Sequence, residues 1–147
     1  MRYREKSEIR DGMRIDWDMP IEMDDGIVLR ADIYRPVAEG NYPVIMTYGP
    51  YGKWLHFEDL YGHQWRLMCE NHPDVPAGST NKYQCWEVVD PEKWVPDGYV
   101  CIRVDSRGAG RSPGLCGSTK RSGQMIWGAI AHSTSRSFSA SRTSEKS

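Results

Sequence analysis

Hydrophobic and polar positions alternate first at Met13, Ile15 and Trp17, separated by Arg14, Asp16 and Asp18, the period of two that marks a half-buried strand. Pro20 then restricts the backbone. Ile21 and Met23 resume the alternation, and Ile27, Leu29, Ala31 and Ile33 carry it on after Asp25-Gly26. An Asp-Gly pair favours a two-residue hairpin turn because both residues tolerate positive φ, so 20–35 is expected to be a β-hairpin ending at Arg35-Pro36. A second turn is expected at Glu39-Gly40-Asn41. The run Pro43-Val44-Ile45-Met46-Thr47-Tyr48 reads as a strand buried on both faces, and Gly49-Pro50-Tyr51-Gly52-Lys53 turns the chain sharply at its end. Phe57, Leu60, Tyr61, Trp65 and Met68 recur at helical spacing and predict a helix over 56–70. Residues 71–82 are rich in loop formers. Asp90-Pro91 has the form of an N-cap followed by proline at the first helical position, and Pro96 and Gly98 keep that helix short. Tyr99 to Asp105 is the second strong apolar strand, and it enters the loop Ser106–Gly114. A hairpin, a buried strand, a helical stretch and another buried strand predict an α/β sheet with a parallel core.

Composition narrows the function classes. The 147 residues carry 19 basic and 20 acidic side chains, a net charge of −1, which gives no electrostatic case for nucleic acid or an anionic membrane surface. No apolar run is long enough to span a bilayer, and no apolar stretch follows Met1, so a cytoplasmic protein is expected. Six Trp and eight Tyr against two Phe favour rings with a polar tip. Cys69, Cys85, Cys101 and Cys116 form no Cys-x-x-Cys pair, and the spacing of His63, Cys69, His72 and Cys85 fits no usual ligand pattern, so no metal is expected. Gly108-Ala109-Gly110 begins a Gly-x-Gly-x-x-Gly match, but Pro113 stands where the third glycine belongs. There is no Gly-Lys-Ser/Thr either, so no nucleotide cofactor is expected.

The chain is not uniform. Residues 1–114 carry a net −5; residues 115–147 carry a net +4 and nine serines. The last fifteen residues hold one large apolar side chain, Phe138, and cannot offset the entropy of ordering the chain, so 133–147 is expected to be disordered. Gln124 to Ala131 could form a helical turn or two. The abrupt change near Leu115 has the look of a reading-frame or splice error, or of a truncated gene.

In α/β sheets, ligands bind at the C-terminal ends of parallel strands, which singles out the loops Gly49–Lys53 and Asp105–Gly114. The second, Asp105-Ser106-Arg107-Gly108-Ala109-Gly110-Arg111-Ser112, resembles the loop after the fourth strand of α/β-hydrolases. Three further motifs sharpen the match: Asp25-Gly26 through Asp32-Ile33-Tyr34-Arg35-Pro36, then Gly49-Pro50-Tyr51-Gly52-Lys53, then Trp94-Val95-Pro96-Asp97-Gly98-Tyr99. In this order they resemble the N-terminal part of the X-Pro dipeptidyl-peptidase-like hydrolases, a group that includes cocaine esterase and the α-amino-acid ester hydrolases. The resemblance covers residues 10–114 and implies a partial α/β-hydrolase fold, followed by the Ser-rich segment 115–147.

The same resemblance implies a serine hydrolase that cleaves small esters or peptides without a cofactor, using a Ser–Asp–His triad. It also implies that Tyr51 is an oxyanion-hole donor. The nucleophile elbow expected after Gly114 is not found: Gly117-Ser118-Thr119 and Arg121-Ser122-Gly123 both lack the motif. His132 stands in the Ser-rich segment, and His56, His63 and His72 precede the nucleophile position, where surface or core roles are expected. The chain is therefore expected to end before its nucleophile and to be inactive by itself. The alternative is a non-catalytic binding or partner module derived from a hydrolase. A sheet cut short should also leave Trp17, Val100 and Ile102 under-covered.

Overall fold

The computed structural model describes residues 6–115. The expectations for 116–147 (the Ser-rich segment, the turn at 124–131, Cys116 and His132) lie outside the described residues. Five strands form one mixed sheet: β1 (Lys6–Arg10), β2 (Met13–Glu22), β3 (Val28–Pro36), β4 (Val44–Gly49) and β5 (Val100–Asp105). Their spatial order is β1-β2-β3-β5-β4. β4 and β5 are parallel and every other pair is antiparallel. The long crossover between β4 and β5 carries α1 (Phe57–Leu60), α2 (Gly62–Asn71) and α3 (Pro91–Trp94).

The first hairpin shows how turn chemistry sets register. The two-residue Asp-Gly turn occurs at Asp11-Gly12, where φ is +52° and +75° and Arg10 faces Met13. Asp25-Gly26 does something different. Only Gly26 has positive φ, Gly26 N donates to Met23 O, and Met23 N donates to Ile27 O, which makes a three-residue loop of turn plus glycine. β2 also runs through Pro20 instead of ending there. Its register against β3 shifts between Asp16 and Met19, and Asp18 sits in this bulge with φ +54°. The bulge lies just before Pro20, which stays paired with Arg30, and the Asp18 carboxylate in it meets Lys53 beyond β4 and Arg111 beyond β5.

The sheet is apolar on both faces. Ile21, Met23, Leu29, Ala31, Ile102 and Val104 form one cluster. Met13, Ile15, Tyr34, Cys101, Tyr83 and Val95 form the other, with the last two supplied by the crossover. Consecutive residues of β5 divide between the clusters, as side-chain alternation requires.

Three expectations change. β4 is not buried on both faces. It is an edge strand among the described residues, half-buried along its length, with Val44 42% exposed. Ile102 is covered, at 2% exposure, because β5 lies between β3 and β4. The helix over 56–70 is broken at Tyr61, whose φ of −136° separates α1 from α2. The Asp90 cap forms as expected: its carboxylate accepts from Glu92 N, with Pro91 at the helix start. Among the described residues no helix is long and apolar enough to cross a membrane.

Candidate functional site

Parallel pairing sets Gly49 beside Asp105, so the two loops singled out by the sequence leave the sheet side by side. Ser106 N donates to Gly49 O at 3.0 Å and holds the loops together at their base. Asp105 organises what lies above. Its side chain is buried, and its two carboxylate oxygens accept from Lys53 N at 2.7 Å and from Arg111 N at 2.8 Å. One carboxylate thus holds a backbone N–H from each loop.

Lys53 reaches down from the first loop. Its side chain is 2% exposed, and its ammonium meets Asp18 Oδ1 at 2.6 Å and Asp32 Oδ1 at 2.9 Å. Arg111 pairs with the other oxygen of Asp18, and Asp18 N donates to Asp32 Oδ1. Burial opposes ionisation of Asp18, but the hydrogen bond and charge of Lys53 and the charge of Arg111 outweigh it and hold the carboxyl below its ordinary range. For Asp32, burial wins over Lys53 and the Asp18 N–H, and its carboxyl is raised. Farther out, Arg107 forms a bidentate pair with Asp25 at 2.6 and 2.9 Å, fastening the second loop to the β2–β3 turn.

Tyr51 stands on the turn between β4 and Lys53, at the C-terminal end of the sheet. It is 37% exposed and its ring meets Tyr61 edge-on at 6.4 Å. Its hydroxyl makes no hydrogen bond among the described residues. Tyr51 lines a cavity of about 280 Å³ whose other walls include Leu55, Leu60, Trp86, Val88 and Arg103. Arg103 lies buried at one side of it, donating to Cys85 Sγ at 3.2 Å and Val89 O at 2.9 Å and stacking over Tyr34, with Nε left without a partner.

The other candidates separate cleanly. His56 caps α1: Nδ1 accepts from Glu58 N, Nε2 donates to Asn81 O, and the ring packs on Trp65. His63 and His72 are exposed on and after α2. Cys85 donates to Lys53 O, and no group of His, Cys, Asp and Glu among the described residues could hold a metal ion. Gly110-Arg111-Ser112-Pro113-Gly114 also satisfies the spacing Gly-x-Ser-x-Gly, ahead of the position where an elbow is expected. Its serine is not a free nucleophile. Ser112 is buried, its hydroxyl donates to Asp105 O at 2.7 Å, and it accepts from Arg30 N at 2.9 Å.

A tyrosine-bearing turn and an Asp-x-Arg-Gly loop thus stand side by side at the C-terminal ends of the adjacent parallel strands β4 and β5. The chain belongs to the X-Pro dipeptidyl-peptidase (S15) family, whose model matches residues 25–130. Among solved structures it is similar to a CocE/NonD family hydrolase from Staphylococcus aureus, known from two crystal structures. The identity is 32% and the TM-score 0.52, over 68% of this chain and 16% of that one. It is also similar to an α-amino acid ester hydrolase, at 20% identity and a TM-score of 0.39, over 65% of this chain and 13% of that one. The chain therefore spans well under a fifth of the length of either hydrolase. No curated protein matches it.

Proposed function

We propose that residues 6–115 supply the oxyanion-binding side of a serine hydrolase that cleaves ester or amide bonds, with Tyr51 as the donor. The observation that carries this reading is the uncommitted Tyr51 hydroxyl, placed on a pinned turn at the rim of a cavity. Family membership supports the reading, because attack on a carbonyl concentrates negative charge on one oxygen. A donor fixed beforehand then stabilises that charge without reorganising. Such a contact strengthens only as the charge develops, so it acts on turnover more than on substrate binding.

The same reading assigns no nucleophile within 6–115. Ser112 is engaged on both sides, Ser7 bonds to Asp16, Ser79 bonds to Glu92, and Ser106, half-buried at the base of the second loop, has no histidine bonded to it among the described residues. A fluorophosphonate probe applied to the protein should therefore leave every serine of this region unlabelled; stoichiometric labelling of Ser112 would contradict the assignment. The donor role is tested in a hybrid in which residues 6–115 replace the corresponding segment of the Staphylococcus aureus hydrolase. Tyr51→Phe keeps the ring and removes the hydroxyl, so kcat on a chromogenic ester should fall by about 10²–10³ with KM little changed. Full turnover in that variant would make Tyr51 a packing residue.

A further inference from the structure

We propose that Lys53 is the positioning residue of the Tyr51 turn, its buried ammonium fixing that turn, and through Asp18 and Asp105 the neighbouring Arg111 loop, in one geometry. The proposal rests on the Tyr51 reading for its catalytic consequence alone. Four contacts converge on this one residue. The ammonium is held by Asp18 of β2 and Asp32 of β3, the backbone N–H by Asp105 at the end of β5, and the carbonyl by the Cys85 thiol of the crossover. Gly49, three residues before Tyr51's far neighbour Gly52, is fixed by pairing with β5 and accepts from Ser106 N. Tyr51 is thus suspended on a three-residue span anchored at both ends, with Pro50 limiting φ on one side of it and Gly52 at φ +82° on the other.

Stability alone does not account for this arrangement. Removing an ammonium from water costs several kcal/mol, and buried ion clusters are commonly replaceable by apolar groups with little loss. A lysine on an exposed turn would ordinarily keep its head in water. What the cluster adds is a link between the two loops above their base. Asp18 takes Lys53 on one oxygen and Arg111 on the other, and Asp105 repeats the pattern with their two backbone N–H groups. The loops can shift relative to each other only by breaking the buried Lys53–Asp18 pair or the Asp18–Arg111 pair, whose arginine is 42% exposed, together with one of the Asp105 hydrogen bonds.

The test places 3-fluorotyrosine at position 51 of the full chain, with a separate sample labelled at buried Tyr34 as reference. The parent should give one narrow ¹⁹F line at 51. Lys53→Met should broaden or split it while the Tyr34 line stays in place, a local change that a general loss of stability does not produce. If that variant fails to fold because Asp18 and Asp32 are left unpaired, the neutral cluster Asp18→Asn, Asp32→Asn, Lys53→Met carries the same expectation. A line at 51 that stays narrow and unmoved in the folded variant overturns the proposal. In the unsubstituted chain, the amides of Lys53 and Arg111 should exchange within about tenfold of the Ile102 amide; exchange at the rate of an open loop would also overturn it. In the hybrid hydrolase, Lys53→Met should lower kcat in the Tyr51 background and cost little more once Tyr51→Phe is present. Unimpaired turnover of Tyr51→Phe would sink the oxyanion reading while leaving the ¹⁹F result to decide the positioning role.

Discussion

Gly110→Ala is the substitution that most directly tests the Asp105 junction. Gly110 has φ +52°, and a Cβ built there would lie 2.3 Å from Asp105 Oδ2, 2.4 Å from its Cγ and 2.5 Å from its Oδ1. No real Cβ sits so close, and the carboxylate cannot retreat without releasing Lys53 N and Arg111 N. The left-handed backbone costs an alanine roughly 1–2 kcal/mol. Hydrogen bonds to a charged acceptor contribute about 1.5–3 kcal/mol each, so losing both adds roughly 3–6 kcal/mol. The sum of about 4–8 kcal/mol rivals the whole stability of a domain, typically about 5–15 kcal/mol. Gly26→Ala is the matched control: its φ is +79° and nothing lies within 4 Å of the added Cβ, so only the backbone cost should appear. Urea unfolding followed by tryptophan fluorescence at neutral pH would compare the two. Gly110→Ala should unfold at far lower urea than Gly26→Ala, or fail to fold. A difference below about 1 kcal/mol between them would refute the claim that Asp105 and its two N–H partners form a rigid junction.

The two aspartates that hold Lys53 should act with opposite sign on the pH dependence of stability. Asp18 is depressed in the folded state, so its contribution is present above the ordinary aspartate value near about 4 and is lost as the pH falls through its lowered value. Asp32 is raised, so its contribution is present below about 4 and is lost as the pH rises through its raised value. Urea melts from pH 3 to 8 should show Asp18→Asn flattening the acid limb and Asp32→Asn removing the loss on the other side; the same sign for both would be wrong. Burial pushes the Cys101 thiol up to about 11 and also raises Cys85, whereas Cys69 is partly exposed. An aromatic disulfide reagent at pH 8 should therefore modify Cys69 and spare the other two until the protein is unfolded, as read by mass spectrometry of the digested chain.

The strands that the alternation predicts are the ones that form, because a period of two needs only a sheet with a buried face to act on. The Asp90 cap was equally legible, being a matter of neighbouring residues. β1 was not. Lys6-Ser7-Glu8-Ile9-Arg10 has no apolar alternation, its one large apolar residue is 63% exposed, and it is a strand only because the Asp11-Gly12 turn folds it onto β2. The rule for Asp-Gly turns placed the β2–β3 hairpin at Asp25-Gly26 but not its three-residue loop, since register and turn geometry are settled by both strands together. Likewise an apolar run cannot declare whether it will lie at the centre or the edge of a sheet, and β4 lies at the edge.

The place of Tyr51 at the end of β4 could be read from the sequence because the turn that carries it follows directly from the strand before it. Its surroundings could not. Lys53 reads as an ordinary surface lysine, and its partners Asp18 and Asp32 as the polar positions of alternating strands. The separation of 35 residues between Lys53 and Asp18 leaves no periodic trace. The bulge at Asp16–Met19 and the parallel pairing of β4 with β5 bring them together. Ser112 shows the converse: its motif spacing and its bond to Asp105 O are local, while the backbone N–H that also engages its hydroxyl belongs to Arg30 of β3, 82 residues away. Local pattern determined the strands, the cap and the position of the turn, because each depends on residues within a few positions of one another. The edge, the ion cluster and the fate of each serine were decided by tertiary structure, because a buried charge is stabilised only by the partners that the fold delivers to it.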